Sequence, residues 1–333
     1  MSHEINQPFD IVYSDHGTDW HQLSTEIGEI TKGKIKPILF KIEEERLPRF
    51  ANHKALIAKL GDVRSDLDPE FAEVGLHVSK DGYQVIDNEM LFDMAIAATN
   101  GYGKVTRVGT LSTCSVFFVS VSLDGEEGFS VCGDNFLSNF NIISSHNGKI
   151  AIEAYDSMTR IVCMNTLQWS RSSKGELDFK VYHTKNAPAA IKNIGEVINQ
   201  ILSGRTEFKN QMEYLNSIKV SDGDARALVA AWLGEGKEEL STRSGNKVGG
   251  IIQLFKKGAG NKGETFYDLF NGVTEYFTSG DGTGSKSDAA TKWAKAEFGK
   301  ASEDKRDFLN FLMKDNHGAD IKIGKALLAT LDA

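Results

Sequence analysis

The sequence has little proline, little cysteine and no long apolar run, and each shortage removes a class of molecule. Five prolines and 32 glycines in 333 residues are too few for a fibrous or low-complexity chain. Cys114, Cys132 and Cys163 form no C-x-x-C pair. The expectation is buried, unreactive thiols in a reducing compartment rather than a disulfide framework. No stretch approaches the roughly 18 apolar residues of a membrane helix, and the opening MSHEINQPFD is too polar for a secretory leader. A soluble cytoplasmic protein is expected, with no membrane partner.

Positive charge is also short. The formal net charge of −8 argues against a protein that coats nucleic acid by bulk electrostatics. The deficit is uneven, however. Residues 81–150 carry three Lys or Arg against eight Asp or Glu, a net of −5, whereas residues 158–219 carry nine against five, a net of +4. The basic segment suits either local phosphate contacts or a solvated helix surface.

What is present reads as an α+β chain. Asp81-Gly82 signals a turn, and Asp87 or Asn88 caps a helix running to about Ala98. KVTRVGTLSTCSVFFVSVSL and FNIISSHNGKIAIEAYDS have the Val, Thr, Ser and Phe content and the alternation of antiparallel strands, and Asn147-Gly148 is a hairpin signal. With DFKVYHT, these predict a sheet of about five or six strands over residues 101–187. Helical spacing predominates after Pro188, at 206–218, 222–233, 247–256, 264–277, 287–299, 302–314 and 322–331. A further helix is expected from Pro188 to a stop at Gly204, and helical spacing is also read in EEERLPRFANHKALIAKL. The chain divides into a mixed region with the central antiparallel sheet, residues 1–187, and a helical region packing on it, residues 188–333.

Two nucleotide-binding motifs are approached and both fail on context. GDGTGSKS, Gly280 to Ser287, would be a phosphate-binding loop if Ser285 were glycine, but a helical pattern precedes it where a buried strand is needed. GAGNKG, residues 258–263, spells G-x-G-x-x-G after a helix rather than a strand. Lys262, Glu264 and Thr265 could line a small anion site at the following helix start. Asp15, His16, Asp19 and His21 are the nearest approach to a metal-ligand cluster, and surface turn residues beside a buried Trp20 are the preferred account of them. No H-E-x-x-H, G-x-S-x-G or paired-carboxylate spacing is present. No cofactor, no metal and no catalytic residue is expected.

Six short elements, in order, are similar to a known family. Trp20-His21-Gln22-Leu23 matches W-H-x-L-G with Ser24 in place of the glycine. Tyr83, Val85, Asn88 and Glu89 match Y-x-V-x-x-N-E. Ser145-His146-Asn147-Gly148 matches S-H-D-G, and Val162 to Leu167 matches V-C-x-N-T-L. His183-Thr184-Lys185-Asn186 matches H-T-x-N, and Tyr267, Asn271, Val273, Thr274, Glu275 and Tyr276 match Y-x-x-x-N-x-V-T-E-Y. On these residues the chain resembles the phage- and plasmid-borne proteins classed as domain of unknown function nine-three-two.

The shared residues are amides, hydroxyls and imidazoles set in apolar surroundings, which are costly to bury unless hydrogen-bonded. One reading is a buried polar network that locks sheet to helices. The other is a nucleic-acid groove with Arg160, Asn165, Thr166, Arg171, His183, Thr184, Lys185, Asn186, Asn271 and Thr274 on its walls, and with Tyr155 or Tyr182 stacking on bases. The mobile-element setting that the resemblance implies suggests a non-catalytic accessory of DNA metabolism in the bacterial cytoplasm. It would bind or anneal single-stranded DNA, with other copies of the chain as partners. Two alternatives stand beside it: a nucleic-acid- or nucleotide-processing enzyme using His146, Glu153 and His183, and an acidic interaction protein that blocks a host factor.

Overall fold

The computed structural model describes residues 9–14, 24–26, 29–50, 52–99, 103–124, 128–160, 165–168, 179–278, 296–297 and 299–331. Its centre is an antiparallel meander. β6 (Lys104–Leu111), β7 (Val116–Ser122), β9 (Asp134–Ser145) and β10 (Ile152–Arg160) pair in the order β6-β7-β9-β10. β1 (Val12–Ser14) extends the sheet beside β6, and β2 (Ser24–Glu26) pairs parallel to β1. At the other end β11 (Asn165–Gln168) and β12 (Phe179–Val181) both pair with β10, and β8 (Phe129–Val131) pairs with β9. The nine strands include the central sheet expected over residues 101–187.

Alternation decides the two faces. Phe117, Val119 and Val121 of β7 meet Phe140 and Ile142 of β9 on one face, covered by Leu91, Phe92 and Ala95 of α1 (Asn88–Ala98). Each of the Val, Leu, Ile and Phe side chains contributes about 1.5–3 kcal/mol by leaving water. The opposite face is also buried but carries hydroxyls and amides. Ser120 Oγ donates to Asn141 Oδ1 at 2.6 Å, Asn141 Nδ2 to Ser157 Oγ at 3.0 Å, and Asn139 Nδ2 to Thr159 Oγ1 at 3.0 Å. Pairing each donor with an acceptor on the next strand removes the cost of burying them.

A separate three-stranded sheet, β3 (Lys41–Arg46), β4 (His53–Lys59) and β5 (Glu73–Lys80), is antiparallel throughout. It overturns the helix expected from EEERLPRFANHKALIAKL. Leu47, Phe50, Leu56, Ile57 and Leu60 fit a helical stripe, but the same segment alternates from Lys54 onward, burying Lys54, Leu56 and Ala58 while Ala55 and Ile57 are only half-buried. Long-range pairing chooses between two periodicities that both fit.

The C-terminal half is helical. α2 (Ala187–Ala190) and a short 3-10 turn lead into α3 (Gly195–Ser217), followed by α4 (Asp222–Leu233), α5 (Thr242–Lys257), α6 (Phe266–Thr278), α7 (Lys300–Leu312) and α8 (Gly318–Ala329). Gly204 does not stop a helix as expected; it lies inside α3, where the cost of glycine is only about 1 kcal/mol. Val131, Phe136 and Met158 of the sheet share a core with Phe208, Phe255, Phe266 and Phe308 of these helices. Among the described residues no helix is long and apolar enough to cross a membrane. The near phosphate-binding loop at 280–287 and the cluster Asp15 to His21 lie outside the described residues.

Candidate functional site

β5 and β12 are each paired on one side alone among the described residues. Their ends are drawn together by reciprocal bonds: Gln84 N donates to His183 O at 3.0 Å, and His183 Nδ1 donates to Gln84 O at 3.0 Å. From that junction a cleft of about 700 Å³ opens between the two sheets.

Its rim is cationic. Lys80 ends β5, Lys149 sits in the β9–β10 turn and Lys180 belongs to β12, so three segments remote in sequence each bring one exposed ammonium. Tyr182 projects beside them, 66% exposed. Lys180 Nζ lies 5.6 Å from the Tyr182 ring centroid and 3.1 Å from Glu153 Oε1. His53 and His77 also line the cleft, and none of the described lining residues is a carboxylate. The His77 imidazole rests over Gly148, where an added Cβ would lie 3.1 Å from Nε2; Gly148 itself has a φ of +72°. The glycine of the S-H-x-G element thus serves both the turn and the packing of the cleft wall.

The floor is polar but uncharged. A carbonyl can only accept, so the bond to Gln84 O places the His183 proton on Nδ1 and leaves Nε2 as the acceptor for Ser144 Oγ at 3.1 Å. Burial holds this imidazole below the ordinary histidine range against the opposing pull of the Gln84 carbonyl. Tyr83 stacks on it, and its hydroxyl donates to Ser145 O at 3.0 Å, with burial raising the phenol's pKa. Behind this layer His146 is fully buried, and its Nε2 donates to Asn88 Oδ1 at 2.8 Å. Asn88 passes the bond on, from Nδ2 to Ile38 O at 2.8 Å. Burial, with the neighbouring His183 adding to it, pushes the His146 pKa down to about 3.

A second cluster joins the sheet to the helices. Arg160, at the end of β10, is 1% exposed. Its Nη2 bonds Asp134 Oδ2 at 2.7 Å, and its Nη1 donates to Ala259 O at 2.8 Å and Asn261 Oδ1 at 3.3 Å. Tyr267 OH donates to the same Asp134 oxygen at 2.7 Å. This explains GAGNKG: Gly260 has a φ of +75°, and a Cβ there would come within 2.6 Å of Arg160 Nη2. The glycine clears room for a guanidinium, not for a phosphate. The small anion site considered at the next helix start is filled from within, since the Asp268 carboxylate accepts from Lys262 N, Glu264 N and Thr265 N.

Those of the ten sequence-derived residues that the structure describes therefore do not gather in one place. His183 and Thr184 line the cleft, and the exposed Lys185 and Asn186 follow them in the chain. Arg160 is sealed in the second cluster and cannot reach a phosphate outside. Asn271 and Thr274 are buried on α6, Thr274 Oγ1 donating to Asn271 O at 2.9 Å. Asn165 and Thr166 lie in β11 opposite Arg160 and Thr159, and Arg171 lies outside the described residues. Tyr155, 2% exposed, offers no stacking face. Of the trio considered for catalysis, His183 alone lines the cleft; Glu153 is bound to Lys180 and His146 to Asn88. Buried Cys114 has its thiol pKa raised by burial, and that of Cys132 is pushed up to about 11 by burial, so neither is primed as a nucleophile. Among the described residues no three His, Cys, Asp or Glu are grouped to hold a metal ion.

Sequence reasoning missed Ser79, Lys80, Lys149, His53 and His77. Surface lysines carry no local signal, and only the pairing of distant strands brings these segments to one cleft. Three of the six short elements, however, meet here: Tyr83 to Asn88, Ser145 to Gly148, and His183-Thr184. The model of the family described as "Domain of unknown function (DUF932)" matches residues 75–298, about two thirds of the chain. No curated protein and no solved structure matches it.

Proposed function

The chain belongs to the DUF932 family, and from that premise we propose that its lysine-rimmed cleft binds single-stranded nucleic acid without catalysing its turnover. The supporting observation is the composition of the cleft: Lys80, Lys149 and Lys180 around the exposed Tyr182 ring, with no carboxylate among the described lining residues. An overall charge of −8 repels polyanions, so a local cationic rim is what makes such a ligand acceptable. Lysines suit phosphates as mobile point charges, and an exposed tyrosine accepts any base by stacking. A cleft of about 700 Å³ takes a few nucleotides of one strand and excludes a duplex, whose bases are already stacked and paired. Annealing of two strands would follow if copies of the chain associate and bring clefts together.

The test is a gel shift with a single-stranded oligonucleotide at about 50 and about 200 mM salt. Three phosphate contacts on a single strand give a slope near −2 in log affinity against log salt, hence roughly a 15-fold loss between the two conditions. Replacing Lys80, Lys149 and Lys180 together by glutamine should remove the shift. Absence of any retarded band at the lower salt would overturn the reading.

A further inference from the structure

The cleft changes character with depth. Lys80, Lys149, Lys180 and Tyr182 at the rim are exposed. Ser79, Ile150 and His183 below them are 4%, 8% and 8% exposed. The imidazole is held neutral, and Ile150 is apolar. Ser79 is the anomaly. It is an inward residue of β5, opposite Lys54 of β4, it lines the cleft, and its Oγ finds no hydrogen-bond partner among the described residues. A buried hydroxyl left unpaired is an uncompensated cost in the free protein. Its Oγ is itself covered, but Ser79 lines the cleft, so a turn about its χ1 bond would present the hydroxyl to a ligand there.

Resting on the nucleic-acid reading, we infer that the floor around Ser79 is a nucleobase subsite: one base enters edge-on to the Ser79 hydroxyl while its flanking phosphates remain on the rim lysines. The opposite orientation, phosphate inward, is disfavoured because no cation is among the buried residues that line the floor. The nearby Lys54 ammonium, opposite Ser79, is already held by Glu44 Oε1 at 2.6 Å and Tyr83 O at 2.9 Å. A phosphate there would lose water and gain one hydroxyl and a neutral imidazole, whereas the exposed ammonium groups would face the bases. A base loses little on entering an apolar, uncharged pocket, and its ring edge carries hydrogen-bonding groups of both kinds. A hydroxyl can donate or accept, so Ser79 pairs with any of the four bases. The subsite thus distinguishes a base from no base, and not one base from another. Ser79 is a specificity-determining residue in this scheme, and the lysines supply affinity.

The experiment compares a short thymidine oligonucleotide with an abasic strand of the same length and phosphate count, by fluorescence anisotropy with the full-length protein. The expected result is at least a 10-fold preference for the base-bearing strand. In Ser79→Ala that preference should shrink about five-fold with affinity for the abasic strand unchanged, and Ser79→Thr, which restores the hydroxyl, should recover it. Lysine-to-glutamine variants should weaken both strands equally. Equal binding of the two strands by the wild type overturns the subsite and leaves the cleft a phosphate-binding one. A preference untouched in Ser79→Ala also overturns it. Failure of both strands to bind overturns the nucleic-acid reading, and the subsite falls with it.

Discussion

The Tyr83 and His183 rings lie parallel, 4.7 Å between centroids and 9° between planes, and this stack closes the deep end of the cleft. Tyr83 follows β5 and His183 follows β12, so one contact registers the three-stranded sheet against the large one. The Tyr83 hydroxyl adds a bond to Ser145 O. Tyr83→Phe keeps the stack and loses that bond, which should cost about 1 kcal/mol. Tyr83→Ala loses both and should cost about 2–3 kcal/mol, since the ring is half-buried rather than sealed. Urea unfolding measures the two values, and similar losses for both variants would show that the stack contributes nothing.

The buried histidines make stability depend on acidity. An imidazole free in the unfolded chain titrates near 6.5, whereas His146 in the folded chain is pushed down to about 3, and His183 is shifted in the same direction. The unfolded state therefore takes up protons first as pH falls. The contribution of His146 is complete above pH 6.5 and is lost progressively below it, down to about 3. Between pH 7.5 and pH 5 the loss from His146 alone amounts to about 2 kcal/mol. His146→Gln keeps an N–H donor for Asn88 but cannot titrate. Its stability, read from urea midpoints at the two pH values, should fall by about 2 kcal/mol less than that of the wild type.

The sequence made the elements legible where one periodicity stood alone. α1 ends at Ala98 as its apolar spacing requires, and α4 spans Asp222–Leu233, bounded by a Ser221 cap and Gly234. Legibility failed where two periods fitted the same residues, as at Leu56 and Ile57, and where a glycine such as Gly204 was read as a stop although neighbouring turns carry the helix through. The family-like residues were found, but their division between a cleft and an interior latch was not, because an arginine in sequence is the same whether it meets a phosphate or an aspartate. Arg160 has the look of a ligand-binding cation, yet it meets Asp134 inside the protein. Lys149, with nothing to mark it, stands at the rim.

That contrast is measurable. Arg160→Ala leaves the partly buried Asp134 without its cation and strips Ala259 and Asn261 of a donor, so it should destabilise the protein by about 3 kcal/mol, the lower end for a broken buried pair. Asp134→Ala in the same chain should recover part of this, because the stranded charge is gone. At a temperature where Arg160→Ala is still folded, its oligonucleotide affinity and salt slope should equal those of the wild type. A slope reduced by about 0.7, the value for one phosphate contact on a single strand, would place the guanidinium at the ligand instead of in the latch.

Ser79 sets folding against binding. Its hydroxyl is buried without a partner, so in the free protein its removal exposes no new polar group and leaves a void of one oxygen atom at most. Ser79→Ala should therefore stabilise the protein by about 1 kcal/mol, the lower end of what an unsatisfied buried polar group costs, raising the melting temperature by about 2 °C. The same variant should lose base preference. A substitution that improves the fold while impairing the ligand contact is the signature of a residue retained for what it binds. Differential scanning calorimetry without nucleic acid, beside anisotropy with it, reads both effects from one preparation. If Ser79→Ala melts below the wild type, the hydroxyl has an internal partner in solution and is not reserved for a ligand.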